Sequence, residues 1–117
     1  MLLSELLRDI PDREITGQAD VVVKRVVADS RITEPEDVFV AVRGTAIDGH
    51  DKVLEALEKG ATVIVGERHI NDVHFDHHHS ASEITYVRVK NSRTAHAAML
   101  RASRPDIREA LDEITFY

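Results

Sequence analysis

Two short runs dominated by β-branched residues, Val38-Phe39-Val40-Ala41-Val42 and Thr62-Val63-Ile64-Val65, bracket a stretch of helical spacing. Between them Val53, Ala56 and Leu57 fall on one side of a helix, and Gly60 is placed to end it as a left-handed cap. A strand whose successive residues are all apolar leaves no face for water, so the Val38 run must be covered on both sides. Strand, helix and strand joined by short connections predict neighbours in one sheet. The expectation is a small three-layer α/β domain, with a mostly parallel or mixed sheet and flanking helices.

The remaining segments fit that frame. Leu2, Leu3, Leu6, Leu7 and Ile10 recur at helical spacing, with Ser4 as the expected cap and Pro11 as the stop. Ile15-Thr16-Gly17 reads as a short edge strand. Val21 to Ala28 reads as a β-branched strand whose Lys24-Arg25 pair puts one face in solvent. Glu34-Pro35-Glu36-Asp37 is a turn, and Ile84 to Val89 is strand-like. Asn91 or Ser92 caps a helix running to about Ala102. The stretch from Asn71 to Glu83 lacks periodicity and reads as a loop. Beyond it, Pro105, Asp106 and Glu109 favour a helix start, with Ile107, Ala110, Leu111 and Ile114 as its apolar stripe. Residues 1–104 are therefore expected to form one domain, with 105–117 as its closing C-terminal helix.

Composition narrows the function classes. A chain of 117 residues is long enough for one real core, and with 4% aromatic residues and no Trp that core rests on Val, Ile, Leu and Ala. A net charge of −6 argues against nonspecific nucleic-acid binding, which is driven by Lys and Arg neutralising phosphates. No run of about 18 apolar residues exists, so no membrane span is expected. The N-terminus lacks the basic and long apolar regions of a signal peptide. With no cysteine there is neither a disulfide nor a thiol nucleophile. The reading is a small acidic domain of cytoplasmic type.

Chemistry concentrates between Ala28 and Asp51. Gly44-Thr45-Ala46-Ile47-Asp48-Gly49 follows the apolar strand directly and has a Gly-x4-Gly spacing. A phosphate-binding P-loop needs Lys and then Ser or Thr after the second glycine; here His50 and Asp51 follow, so triphosphate hydrolysis by this loop is not expected. A strand-to-helix turn that uses glycine for its positive φ explains the spacing equally well. Asp29-Ser30-Arg31 ends the strand expected beside Val38, and ligands of open α/β sheets sit outside the carboxyl ends of strands. Ser30 can exchange hydrogen bonds with a base or sugar while Arg31 supplies charge. An Asp turn with a surface Arg ion pair accounts for the same residues. His74, His77, His78 and His79, with Asp76, suggest a metal, but they lack helical spacing or evident supporting partners and read as an incidental surface loop.

The words Asp29-Ser30-Arg31, Asp37-Val38-Phe39-Val40-Ala41-Val42-Arg43-Gly44-Thr45 and Asp48-Gly49-His50-Asp51 are specific in combination. They are joined by Leu3-Ser4-Glu5-Leu6-Leu7, Ile15-Thr16-Gly17, Gly60-Ala61, Val63-Ile64-Val65-Gly66-Glu67, Val87-Arg88-Val89 and Asn91-Ser92-Arg93. Over about its first 100 residues the chain resembles the N-terminal domain of the MurE-type Mur ligases, the synthetases that add the third residue of the peptidoglycan stem. The resemblance implies a MurE/MurF N-terminal-domain fold that binds the uridine-diphosphate part of UDP-N-acetylmuramoyl-dipeptide. Carried over by motif, Ser30 contacts the uridine with Arg31 beside it. Thr45, Ala46 and Ile47 line the nucleotide pocket, and Asp48 and Gly49 shape the same loop.

The departures matter as much. The family's Gly-Thr-Asn-Gly-Lys-Thr loop, which binds ATP and Mg, and its amino-acid domain have no counterpart here, so no cofactor is expected for this chain and it is expected to be non-catalytic alone. The family's Pro-Gly-Asp turn reads Pro35-Glu36-Asp37, which loses a glycine and is expected to alter the turn. The sequence past Leu100 departs from the usual lead into the ATP domain. The chain is thus expected to be a truncated domain whose partners are the missing ligase domains, or one redesigned to stand alone. Two alternatives stand beside nucleotide binding: an engineered or chimeric α/β scaffold with no ligand, and a metal binder built on the histidine loop.

Overall fold

The computed structural model describes residues 1–42, 52–69 and 84–103. The expectations for the glycine loop, the 71–83 loop with its histidines, and the 105–117 helix fall outside the described residues. The five strands are β1 (Glu14–Thr16), β2 (Val26–Val27), β3 (Val38–Val40), β4 (Val63–Gly66) and β5 (Thr85–Arg88). They form one mixed sheet in the order β1-β5-β4-β3-β2. Strands β2 to β5 run parallel, with Val26 beside Val38, Val38 beside Val63, and Val63 beside Thr85. Only β1 is antiparallel, pairing Glu14 with Arg88 and Thr16 with Tyr86 at the far edge.

Strand periodicity sorts the core into two layers. Val38, Val40, Val63, Val65, Val87 and Val89 pack beneath α1 (Leu3–Leu6) and α3 (Ser92–Ala102), meeting Leu3, Leu6, Ala95 and Met99. Phe39, Ala41, Ile64, Ile84 and Tyr86 pack on the other side against Val53, Ala56 and Leu57 of α2 (Val53–Glu58). Each Val, Leu, Ile, Phe or Met among them, fully buried, contributes about 1.5–3 kcal/mol. The expected α/β/α sandwich is the observed one. Tyr86 is buried on the α2 side, where its hydroxyl donates to the Arg68 carbonyl. Burial pushes that phenol up to about 12.

Two local expectations shift. Ser4 lies inside α1 and not at its cap; Leu2 holds the cap position and makes no side-chain cap bond. Leu2 instead bridges to Val22, and Leu3 N donates to the Val21 carbonyl, so the chain start is drawn out against residues 21–23. That pairing takes the first half of the Val21–Ala28 run away from the main sheet and leaves β2 two residues long. Gly60, with φ +103, ends α2 as expected. A Cβ there would also come within 2.7 Å of Pro35 Cα, so the helix end and the Pro35 turn touch through the missing side chain. No helix among the described residues is long and apolar enough to cross a membrane.

Candidate functional site

The carboxyl ends of β2 and β3 lie side by side, and the chain leaving β2 turns at once. Asp29 is extended (φ −115, ψ 115) and leads into a 3-10 turn over Ser30–Ile32. Its Oδ1 accepts from Arg31 N at 2.9 Å and from Arg31 Nε at 3.1 Å, and its Oδ2 accepts from Arg31 Nη2 at 2.8 Å. The Thr33 hydroxyl donates to the Asp29 carbonyl at 3.1 Å. These donors hold the Asp29 carboxyl down at about 2, the Arg31 guanidinium contributing most and the Arg31 N–H next. From the end of α2, Lys59 Nζ donates to the Arg31 carbonyl at 2.7 Å.

A cleft of about 490 Å³ opens between this turn and the start of α2. Ala28, buried Phe39 and partly buried Val42 give it an apolar lining; Asp29, Arg31, Lys52 and Glu55 give it charge of both signs. Ser30 lies in the same wall and is only 4% exposed. Such a site offers an apolar surface to a flat ring, a hydroxyl that can donate or accept, and charged groups for a polar tail.

A second depression, of about 370 Å³, lies where β4 and β5 end. Its charges are largely paired among themselves: Arg88 with Glu14 at 3.6 Å and Lys90 with Asp12 at 3.5 Å. Its Glu67 carboxylate accepts from Ser92 N at 2.9 Å and the Ser92 hydroxyl at 2.7 Å, at the start of α3. It contains none of the predicted site residues.

Of the predicted site residues, Ser30 and Arg31 meet in the first cleft. Thr45, Ala46, Ile47, Asp48 and Gly49 lie outside the described residues. The Arg31 ion pair expected of a plain Asp turn is also present, so the turn both closes on itself and lines a cleft. Sequence reasoning named Phe39 and Val42 only as strand residues, and it did not name Lys52 or Glu55. Lys52 and Glu55 are spaced i, i+3 at the start of α2, but only the packing of α2 over the Phe39 face turns them toward Ser30.

The family model described as "Mur ligase family, catalytic domain" matches residues 22–115. The UDP-N-acetylmuramoyl-L-alanyl-D-glutamate--2,6-diaminopimelate ligase of Bacteroides thetaiotaomicron is 39% identical over 95 residues, covering 81% of this chain and 18% of that protein. The enzyme of the same name from Clostridium tetani is 34% identical over 95 residues, covering 81% and 19%. Among solved structures, MurF from Acinetobacter baumannii superposes with a TM-score of 0.64 at 26% identity, over 80% of this chain and 19% of that one. MurF from Thermotoga maritima is 35% identical with a TM-score of 0.50, covering 66% and 16%. The chain spans about a fifth of the length of the curated relatives it matches. With the family match running over most of its length and the same fold found in MurF, the chain belongs to the Mur ligase family.

Proposed function

We propose that this domain binds the uridine-diphosphate part of UDP-N-acetylmuramoyl-dipeptide, as the substrate-binding portion of a peptidoglycan-precursor amino-acid ligase. The observation that carries the reading is buried Ser30 in the wall of a half-apolar cleft at the carboxyl ends of two parallel strands. The names of the relatives support the substrate class. In this reading the uracil ring lies against the Phe39 side of the cleft and exchanges hydrogen bonds with Ser30. Arg31 stands beside it, and Thr45, Ala46, Ile47, Asp48 and Gly49 are proposed as the further residues of the nucleotide site.

Ligation itself is assigned elsewhere. ATP-dependent ligation requires positioned cations around the transferred phosphoryl group. The sequence has no Gly-Lys-Ser/Thr loop, so ATP and magnesium are proposed to be held by the other ligase domains. A cytoplasmic setting, and the remaining ligase domains as partners, belong to the same proposal.

The test is an amide-resolved NMR titration with UDP and with UDP-N-acetylmuramic acid. Shifts centred on Ser30, Thr45 and Asp48 are expected at millimolar ligand, and Ser30→Ala should weaken binding about fivefold, the worth of one hydrogen bond. No shift at those positions overturns the reading and leaves a ligand-free scaffold.

A further inference from the structure

The backbone bonds of the Ser30–Ile32 turn are long: Ile32 N to the Asp29 carbonyl at 3.3 Å and Thr33 N to the Ser30 carbonyl at 3.4 Å. The Asp29 carboxylate and the Thr33 hydroxyl brace it locally. Side chains from farther along the chain add to that bracing. Arg25, on the strand side, donates from Nη2 to the Ile32 carbonyl at 2.8 Å while the same guanidinium grips the buried Asp37 carboxylate. Lys59, 28 residues from Arg31 along the chain, donates to the Arg31 carbonyl at 2.7 Å. Arg25 is committed to Asp37 in any case. Lys59 is different: it follows α2 directly, and the start of that helix provides the opposite side of the cleft through Lys52 and Glu55.

Among the described residues this hydrogen bond adds a directional tie to the packing of the Ser30 turn against the helix facing it. We infer that Lys59 is a positioning residue, which sets the separation of the two cleft walls and thereby holds Ser30 where a nucleotide can reach it; this rests on the nucleotide reading above. Lys59 does not line the cleft and acts through the Arg31 carbonyl. Its ammonium is also 3.9 Å from Glu55, one turn earlier on α2, which aims the donor along the helix. Holding a site in its bound geometry beforehand lowers the ordering cost of binding.

The experiment compares UDP binding by wild type, Lys59→Met and Lys59→Arg, by calorimetry, with the melting temperature and the turn amide shifts of each free protein recorded alongside. Lys59→Met keeps the aliphatic stem and removes the donor; Lys59→Arg keeps a donor. The expected result is an affinity lower by about three- to tenfold in Lys59→Met, with shifted Arg31 to Thr33 amides, an almost unchanged melting temperature, and recovery in Lys59→Arg. Wild-type affinity in Lys59→Met, or equal weakening in Lys59→Arg, overturns this inference alone. Failure of the wild-type chain to bind UDP overturns the nucleotide reading, and this one with it.

Discussion

Glu36 carries a backbone conformation better suited to glycine. Its φ is +71, in the left-handed region where a Cβ crowds the backbone. The turn forms nonetheless, because bonds from several sides impose it. Asp37 N donates to the Glu34 carbonyl at 3.2 Å, Glu36 N to the Gly60 carbonyl at 3.0 Å, and Glu34 N to Asp37 Oδ2 at 2.8 Å. Glu36 thus carries strain that a glycine would not. Glu36→Gly should relieve about 1–2 kcal/mol of strain and lose about half of that to the entropy of a freer unfolded chain. A net gain of about 0.5–1 kcal/mol in urea unfolding is expected. At the same scale, Asp37 was legible only as a turn residue. That it is fully buried beneath the Arg25 guanidinium, 12 positions earlier, depends on β2 lying beside β3.

Elements were legible where local chemistry decides them. Of the two residues read as the α3 cap, Asn91 is the one that serves, its side-chain oxygen accepting from Thr94 N at 3.0 Å, because an N-cap is settled within four residues. Asn91→Ala should cost about 1 kcal/mol, seen as a lower urea midpoint at unchanged slope. The α2 stripe and its Gly60 cap were equally plain. Helix α1 and strand β2 were read too long, since the apolar spacing of residues 2–10 and 21–28 says nothing about which stretch pairs with which. Contacts remote in sequence settled that: the chain start binds residues 21–23, and Arg13 Nη1 donates to the Leu7 and Ile10 carbonyls where the first helical segment ends. Strand β5 was legible as strand-like, but its burial was not. Its Thr85-Tyr86-Val87 core is buried because β1 closes the sheet beyond it and both layers cover it.

Across the whole molecule, two perturbed groups act in the same direction with pH. Burial lowers the His96 pKa below its ordinary 6.5, so the unfolded chain takes up that proton first. The stability it reflects is present above about pH 6.5 and lost as the pH falls below it. The Asp29 carboxyl, lowered from 3.8 to about 2, contributes stability that is present above 3.8 and lost as the pH approaches 2. Unfolding free energy should therefore decline in two acid windows. His96→Gln should flatten the upper one and Asp29→Asn the lower, as measured by urea unfolding across the pH range; a slope unchanged by either substitution would contradict the assignment.

The sequence by itself determined the alternation of buried strands and amphipathic helices, the layered α/β class, the α2 and α3 boundaries, and the Asp29-Ser30-Arg31 turn. Each follows from periodicity or from capping chemistry within a few residues. Tertiary structure alone decided that β1 pairs antiparallel with β5 at the edge opposite β2. It likewise decided that Arg25 neutralises a buried Asp37, and that Lys59 reaches back to the Ser30 turn. Those outcomes depend on which distant segments share a surface, because hydrogen bonds and desolvation act on neighbours in space and not on neighbours in the chain.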